Sequence, residues 1–171
     1  MKLLIASDIH GSAYWCRKVM DQVEAVNPDK VILLGDLLYH GPRNPLPDDY
    51  NPQEVADMLN SIADRIVAVR GNCDSEVDQM VLSFPCMADY SIIMDGLQLE
   101  LFATHGHIFG PDNVPPLAPG SILLSGHTHI KTNEFHDDIY YVNPGSVSLP
   151  KDGSHSIALY QEGSLAFITL D

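Results

Sequence analysis

Basic residues are scarce in this sequence: nine Lys and Arg stand against 23 Asp and Glu, which gives a formal net charge of -14 at pH 7. Proteins that bind nucleic acid along its backbone neutralise the phosphates with Lys and Arg. The deficit therefore argues against bulk nucleic acid as a partner. A small anionic substrate stays compatible with the charge, because bound metal ions are often the largest local charges in a site.

Long apolar runs and patterned cysteines are also missing. No run approaches the roughly 20 residues that a membrane span needs, so we expect no membrane partner. The first apolar run follows Lys2 and stops before Asp8, which indicates a strand rather than a signal peptide, and hence a cytoplasmic protein. The three cysteines are odd in number and irregularly spaced, which argues against a disulfide framework and a cysteine zinc site. Composition leaves the oligomeric state open, a homo-oligomer included.

The length and the apolar content suit one domain. At 171 residues, 45% of them hydrophobic, the chain is expected to form a single domain over residues 1–171 with a substantial core. Its first half alternates strand-like runs with helical periodicity, which favours a mainly parallel sheet. We expect strands at 2–6, 30–34 and 65–69, helices at 12–26 and 51–63, and a long loop at 37–50.

The second half is rich in short strand-like runs. The apolar residues of 77–84 have the spacing of one short helical face. A hairpin is expected from residues 90–94 and 97–103, with Asp95 and Gly96 as a two-residue turn. An α/β half followed by a β-rich half suggests an α/β fold with two sheets packed face to face and helices outside. Further strands are expected at 122–124, 132–135, 139–142, 155–160 and 165–170.

Seven polar residues each follow a strand-like run by only a few positions: Asp8, His10, Asp36, Asn72, His105, His127 and His129. If the chain stays extended beyond the first strand, Asp8 and His10 aim at one point. Carboxylate, imidazole and amide oxygen together suit two borderline or hard divalent cations such as Mn²⁺, Fe, Zn²⁺ or Mg²⁺. A lone histidine would indicate no more than a core or surface residue, but the repeated placement at strand ends predicts a metal site.

The same residues form an ordered pattern of Asp-x-His, Gly-Asp, Gly-Asn, His and Gly-His-x-His. It is present as Asp8 Ile9 His10, Gly35 Asp36, Gly71 Asn72, His105 and Gly126 His127 Thr128 His129. This pattern resembles that of the calcineurin-like metallophosphoesterases, and the match covers nearly the whole chain. Residues 40–44, 71–75 and 143–146 look like the small bacterial phosphodiesterases of that family in particular. The resemblance implies a four-layer α/β/β/α sandwich of two packed mixed sheets.

The resemblance also implies a two-metal hydrolase of small or activated phosphodiesters. It assigns Asp8, His10 and His129 to one ion, Asn72, His105 and His127 to the other, and Asp36 to both. The ions are expected to be Mn²⁺, with Zn²⁺, Fe and Mg²⁺ as alternatives, and such a pair can generate hydroxide without a protein nucleophile. Two other functions stay open: a phosphomonoesterase with the same site, and an interaction scaffold like a related subunit of the retromer sorting complex.

Four further residues are expected near the substrate. With Asp36 and Asn72, His107 is a candidate catalytic residue that supports the site or contacts the substrate. Arg43 and Asn44 are candidate substrate contacts, Arg43 being the better phosphate donor. Cys73 stands where many members of the family have a histidine that is thought to help protonate the leaving group or bind phosphate. We expect Cys73 to lie near the substrate without binding metal, because adjacent side chains in an extended segment point in opposite directions.

Overall fold

The structure, a computed structural model, describes residues 1–96 and 99–171. The described residues form ten strands and three α-helices. In chain order these are β1 (Lys2–Ala6), α1 (Ala13–Val26), β2 (Lys30–Leu33), α2 (Pro52–Asn60), β3 (Ile66–Ala68), α3 (Glu76–Val81), β4 (Tyr90–Met94), β5 (Glu100–Thr104), β6 (Ile122–Leu124), β7 (Lys131–His136), β8 (Ile139–Pro144), β9 (Ser156–Gln161) and β10 (Ser164–Thr169).

The first sheet is built around β1 and has the strand order β10-β9-β1-β2-β3. Strands β1, β2 and β3 run parallel, as the alternation of strands and helices in the first half of the chain predicts. Strand β9 pairs antiparallel with β1, and β10 pairs antiparallel with β9. The last two strands therefore complete the sheet that the first strand begins, and the carboxyl ends of β1, β2 and β3 lie along one edge.

The second sheet has the strand order β4-β5-β6-β8-β7. Its three central strands, β5, β6 and β8, run parallel, while β4 and β7 pair antiparallel with their neighbours at the two edges. Both sheets are thus mixed. The carboxyl ends of β5, β6 and β8 form a second edge, so polar residues that follow these strands lie close together.

Apolar side chains between the two sheets form one core cluster. Leu3, Ile5 and Ile32 from the first sheet pack with Leu101 and Leu124 from the second, and none of the five is more than 1% exposed. The two sheets therefore pack face to face. The predicted class, an α/β fold of two packed mixed sheets flanked by helices, is confirmed.

Helices α1 and α2 cover the outer face of the first sheet. Leu4 and Leu33 from the strands pack there with Trp15, Val19 and Leu59 from the helices. Strands β1 and β2 are consequently buried on both faces, which explains why their apolar runs are continuous. None of the helices in the described part of the chain has the length and hydropathy that crossing a membrane requires.

Side-chain caps set the ends of these two helices. Ser12 begins α1 and Asn51 begins α2, each by accepting the backbone N–H three residues further on at 3.3 Å. Helix α2 ends at Asn60 rather than near residue 63, because the Ser61 hydroxyl donates to a carbonyl of the last turn. A short 3₁₀ turn, Ala63–Arg65, then leads into β3. The predicted starts are confirmed, and the predicted end of α2 was wrong.

The outer face of the second sheet carries a smaller apolar cluster. Phe102, Leu123 and Tyr141 project from it and are covered by Phe109 and Leu117. These two residues belong to the segment between β5 and β6, which forms no helix. On this side the flanking layer is therefore an irregular segment, fixed by apolar contacts.

The β4-β5 hairpin is present, but without the predicted turn. Met94, the last residue of β4, pairs with Glu100, the first residue of β5, and a two-residue turn at Asp95 and Gly96 does not produce this register. The second arm was predicted to begin at 97, and residues 97 and 98 lie outside the described part of the chain. The Tyr160 hydroxyl donates to the Asp95 carboxylate, a tertiary contact that the local turn pattern does not contain.

Helix α3 overlaps the predicted segment 77–84, but its apolar residues do not form one buried face. Val77 and Met80 are 65% and 83% exposed, whereas Asp78 is buried. The Asp78 carboxylate turns inward because it accepts a backbone N–H just ahead of the helix at 2.8 Å. Phe84 is buried beyond the end of the helix. The prediction of a single apolar face was therefore wrong.

Replacing Ile32 by Ala should destabilise the fold by about 2–5 kcal/mol, because it removes buried methyl groups between the two sheets and leaves a cavity. Urea unfolding measures this change. Ile92→Ala in β4 is the matched control, since Ile92 is 51% exposed, and it should change the free energy of unfolding by about 0.5 kcal/mol or less. Equal losses for the two variants would contradict the inter-sheet core.

Candidate metal centre

The seven predicted ligands all lie just beyond the carboxyl ends of parallel strands. Asp8 and His10 follow β1, Asp36 follows β2 and Asn72 follows β3 in the first sheet. In the second sheet His105 follows β5, and His127 and His129 follow β6. Because the sheets pack face to face, these two strand edges meet, and the structure brings the seven residues together.

Asp8, His10 and His129 form the first group. The Asp8 Oδ1 atom lies 3.2 Å from His129 Nε2 and 3.6 Å from His10 Nε2. The two Nε2 atoms are 3.3 Å apart. Asp8 Oδ1 is buried and has no hydrogen-bond partner, which is costly for a carboxylate oxygen unless a cation binds it. This group has the donor set and the unsatisfied atom of a metal site.

Asp36 links this group to a second one. Its Oδ2 atom lies 3.7 Å from His10 Nε2 and 3.5 Å from His105 Nε2. His105 Nε2 is in turn 3.1 Å from Asn72 Oδ1. The ring of His127 lies 5.0 Å from that of His105, between centroids. Asp36 therefore faces histidines from both predicted ligand sets.

Backbone carbonyls orient three of the imidazoles. The Nδ1 atoms of His10, His105 and His129 lie 2.9, 2.7 and 2.6 Å from the carbonyl oxygens of Tyr39, Leu34 and Leu149. A carbonyl only accepts, so each Nδ1 carries the proton and each Nε2 presents a lone pair. These lone pairs converge with carboxylate oxygens, which are also acceptors. Such an arrangement of acceptors fits a divalent cation.

The backbone at the ligands departs from the extended conformation. Five of the predicted ligands have positive φ angles: 58 degrees at Asp8, 50 at His10, 54 at Asp36, 67 at His127 and 61 at His129. The prediction that Asp8 and His10 converge along an extended chain was therefore wrong. They converge because the chain turns at each ligand, and strained backbone of this kind is held in place by its surroundings at functional sites.

Burial and neighbouring charges shift the pKa values of the ligands. Burial raises the pKa of Asp8, but the facing imidazoles of His10 and His129 lower it more, so it falls below its usual range. Burial lowers the pKa of His10, while the Asp8 carboxylate raises it more, so the net shift is upward. Burial lowers the pKa of His127, and the nearby His105 lowers it further. The Asp8 carboxylate thus stays ionised and favours a positive charge beside it, which a cation bound by the Nε2 lone pairs would supply.

Asp74 is a buried carboxylate to which the sequence analysis assigned no role. Its Oδ2 atom accepts the N–H groups of Asp36 and Gly71 at 2.8 and 2.7 Å, and its Oδ1 atom accepts that of Leu37 at 2.8 Å. Burial raises its pKa to about 6. A Cβ on Gly71 would lie 2.0 Å from Asp36 Oδ1, so only glycine fits there. Asp74 therefore clamps the turns after β2 and β3 around Asp36. An acid ahead of a helix is common in exposed caps, so the pattern gave no signal for this clamp.

The end of β8 and the turn after it support the other side of the centre. Asn143 Nδ2 donates to the carbonyl of Gly126 at 2.7 Å. The hydroxyls of Ser146 and Ser148 donate to the carbonyl of Asp8 at 2.9 and 3.1 Å. The Asp8 Oδ2 atom accepts the N–H of His127 at 3.0 Å. These bonds join the ligand turns of the two sheets, a role that the sequence did not assign.

Cys73 lies beside the predicted ligands. Its Sγ atom forms a group with ligand atoms of His10 and Asp36 in which all are within 4.8 Å of one another. Asn72 Nδ2 donates to the same sulfur at 3.3 Å, so the two adjacent side chains do not point in opposite directions. The geometric argument against Cys73 as a ligand was therefore wrong. Burial, together with the nearby Asp36 carboxylate, raises the pKa of its thiol to about 12, which favours the neutral thiol.

A cleft of about 1220 Å³ opens beside the centre. The predicted substrate contacts Arg43, Asn44 and Cys73 line it, together with His127 and His129. Tyr39, Tyr50, Val77, Val81 and Lys151 also line it. The arrangement can hold a small molecule with one end at the metal centre.

His107 lies on the other side of the histidine cluster. It is not among the described residues that line the cleft, and its ring lies 5.3 Å from that of His105 and 6.3 Å from that of His127, between centroids. Its Nδ1 atom is buried without a hydrogen-bond partner. Burial lowers its pKa, and His105 and His127 lower it further. These contacts suit a neutral imidazole that packs against the ligands.

Replacing Asp74 by Asn should lower the free energy of unfolding by about 1–3 kcal/mol, because an amide nitrogen cannot accept the N–H groups that the carboxylate oxygens accept. The affinity for divalent ions should also fall, by about 10-fold or more. Urea unfolding and metal titration measure the two effects. Asp21→Asn, at an exposed position on α1, is the control. If the two variants behave alike, the clamp does not exist.

Comparisons with known proteins address the identity of this centre. Phosphodiesterase YfcE of Escherichia coli K12 is 49% identical over 154 residues, which cover 90% of this chain and 83% of that protein. A solved structure of YfcE, described as a phosphoesterase from E. coli, has a TM-score of 0.93 at 42% identity and covers 100% of both chains. A structure of a Vps29 mutant from Entamoeba histolytica has a TM-score of 0.65 at 20% identity, covering 100% of this chain and 99% of that one, and shows likeness of fold alone.

The family model of the calcineurin-like phosphoesterase superfamily domain matches residues 1–164. That span contains every predicted ligand and all three helices. The resemblance that the ordered Asp, Asn and His residues indicated is thereby confirmed. The chain belongs to the calcineurin-like phosphoesterase superfamily.

Proposed function

We propose that this protein is a phosphodiesterase that hydrolyses small or activated phosphodiesters at a centre of two divalent ions. The observation that carries the proposal is the convergence of buried carboxylate oxygens and imidazole Nε2 lone pairs around the unpartnered Asp8 Oδ1. The chain is a hydrolase of phosphoric diesters, as its family and its 49% identity to a phosphodiesterase support.

The donor atoms divide between two ion positions. Membership of the superfamily implies divalent metal ions. In the proposal Asp8, His10 and His129 hold one ion, Asn72, His105 and His127 hold the other, and Asp36 holds both. When bound, such ions supply hydroxide at neutral pH and stabilise charge on the phosphoryl oxygens. Oxygen and imidazole donors suit Mn²⁺, with Zn²⁺, Fe and Mg²⁺ as alternatives.

The remaining residues position the substrate and the ligands. Arg43 and Asn44 line the cleft, where a guanidinium and an amide can donate to phosphate or ester oxygens. Cys73 lines the same cleft and fills the place where many relatives have a histidine. His107 packs against His105 and His127, so in this proposal it holds their rings in place rather than touching the substrate.

Two other functions use the same fold. A phosphomonoesterase would share every ligand and differ only in substrate. An interaction scaffold would need no complete ligand set, and the buried, converging donors of this chain favour the enzyme instead. A panel of phosphate monoesters and diesters, tested with each metal, separates the three functions. The single domain, the cytoplasmic location and the absence of bulk nucleic acid as a partner stay predictions, and the oligomeric state stays open.

Chelation should abolish hydrolysis of an aryl phosphodiester, and added Mn²⁺ should restore it, because no side chain replaces the metal-bound nucleophile in this proposal. Elemental analysis should find two ions per chain. Asp36→Asn should lose metal and reduce turnover by more than about 100-fold, beyond what an outer-shell change costs.

The control for this experiment is Asp21→Asn, which replaces an exposed acid far along α1 and should keep both metal and activity. Full diester hydrolysis by metal-free protein would sink the proposal. Turnover of monoesters but not diesters would favour the phosphomonoesterase.

Cys73→Ser should keep the metal content and stay within about 10-fold of the original turnover of an aryl phosphodiester, because a neutral thiol beside the site is not a ligand. Asn72→Ala should lose one ion and most turnover. Metal content and turnover are measured on the same samples. Loss of one metal equivalent in Cys73→Ser would show that the sulfur is a ligand and that our assignment is wrong.

A further inference from the structure

Most basic side chains of this acidic protein already have a partner. Of the nine Lys and Arg residues, seven make an ion pair, a hydrogen bond or a ring contact with described residues: Lys2, Arg17, Lys18, Lys30, Arg65, Arg70 and Lys131. The side chains of the other two, Arg43 and Lys151, make no such contact within residues 1–96 and 99–171. Both are exposed, and both line the cleft beside the metal centre. The two basic side chains without a partner in the described protein therefore both lie in the lining of this cleft.

The backbone of Lys151 is fixed beside a metal ligand. Its N–H donates to the carbonyl of His129 at 2.9 Å, and His129 Nδ1 donates to the carbonyl of Leu149 at 2.6 Å. The segment 149–151 and the His129 turn thus hold each other by two hydrogen bonds. The ammonium group stays exposed at the end of a flexible chain. Lys151 is anchored at the centre but has its charge free for a ligand.

Arg43 lies on a different segment of the lining. The turn that carries it is held by Asn44, whose N–H and Nδ2 donate to the carbonyls of Gly41 and His40 at 3.4 and 2.9 Å. Gly41 packs against Cys73, since a Cβ there would lie 2.9 Å from the sulfur. The guanidinium is exposed. Two separate, anchored segments therefore each present one free cation to the same cleft.

Charge and volume indicate what these cations bind. The carboxylates of Asp8 and Asp36, the hydroxide and one diester phosphate together balance the charge of two divalent ions, so the scissile phosphate leaves no negative charge over for Arg43 and Lys151. Further cations therefore suit a substrate with more negative charge. The cleft, at about 1220 Å³, also exceeds the roughly 300–1,000 Å³ of ordinary small-molecule pockets. Tyr39 and Tyr50 in its lining offer surface for a carbon skeleton.

We propose that Lys151, together with Arg43, binds a second anionic group, a carboxylate or a phosphate, on the ester substituent that occupies the cleft. The inference rests on the proposed phosphodiesterase function and narrows its substrate class to diesters that carry an additional negative charge. The scissile phosphate lies at the metal centre, and Lys151 sets specificity through a group away from the reacting atoms.

Three synthetic diesters with the same 4-nitrophenyl leaving group test this inference. Their other substituent is phenyl, 4-carboxyphenyl or 4-phosphonophenyl, so the chemistry at phosphorus is matched and only the added anion differs. The protein should favour an anionic substituent over phenyl in kcat/KM by about 5- to 10-fold, as one charge-assisted contact provides. The preference should lie in KM and should weaken in high salt. Comparison of the two anionic diesters tells a carboxylate site from a phosphate-type site.

Lys151→Gln should remove most of this preference, and Arg43→Gln part of it. Lys18→Gln, a change outside the cleft, is the matched control and should keep both the preference and the activity. If Lys151→Gln keeps the same preference for anionic diesters, the inference is wrong but the proposed function stands. The same holds if turnover falls equally for all three diesters, because Lys151 would then bind the scissile phosphate. No turnover of any diester would overturn the proposed function and this inference with it.

Discussion

The buried carboxylate of Asp8 is the contact on which the site depends. One oxygen is fixed by the Ser7 hydroxyl at 2.6 Å and by the His127 N–H at 3.0 Å, and so ties the first sheet to the second. The other oxygen has no hydrogen-bond partner and faces the Nε2 atoms of His10 and His129. A carboxylate held in this way is costly without a cation. Without a cation, this cluster of hydrogen-bond acceptors destabilises the fold, and a bound metal ion would satisfy it.

A second buried acid stabilises the turns that follow β2 and β3 in the first sheet. Asp74 accepts three backbone N–H groups and so fixes the turns that carry Asp36 and Asn72. Turns with positive φ at the ligands need such support, because left-handed backbone is unfavourable for residues other than glycine. The inter-sheet core, with Ile32 and Leu101 at its centre, supplies the rigid frame against which both clamps act.

The charge of the protein is arranged around this centre. A formal net charge of -14 repels anions in general, yet the cleft presents two free cations beside the predicted ion positions. Positive charge confined to one cleft of an acidic protein attracts small anions there and disfavours extended polyanions elsewhere. This distribution agrees with a small phosphodiester as the substrate.

The sequence by itself determined most of the elements and which residues are candidates for the site. Continuous apolar runs predicted the parallel strands, Ser12 and Asn51 predicted the helix starts, and the polar residues after each strand predicted the ligands, because all of these depend on short stretches of chain. Only the tertiary structure decided how the predicted ligands converge, which way α3 faces, the register of the β4-β5 hairpin and that Asp74 and Asn143 support the centre. These features arise from contacts between residues far apart in the chain, and a local pattern of side chains does not contain the partner on the other strand or sheet.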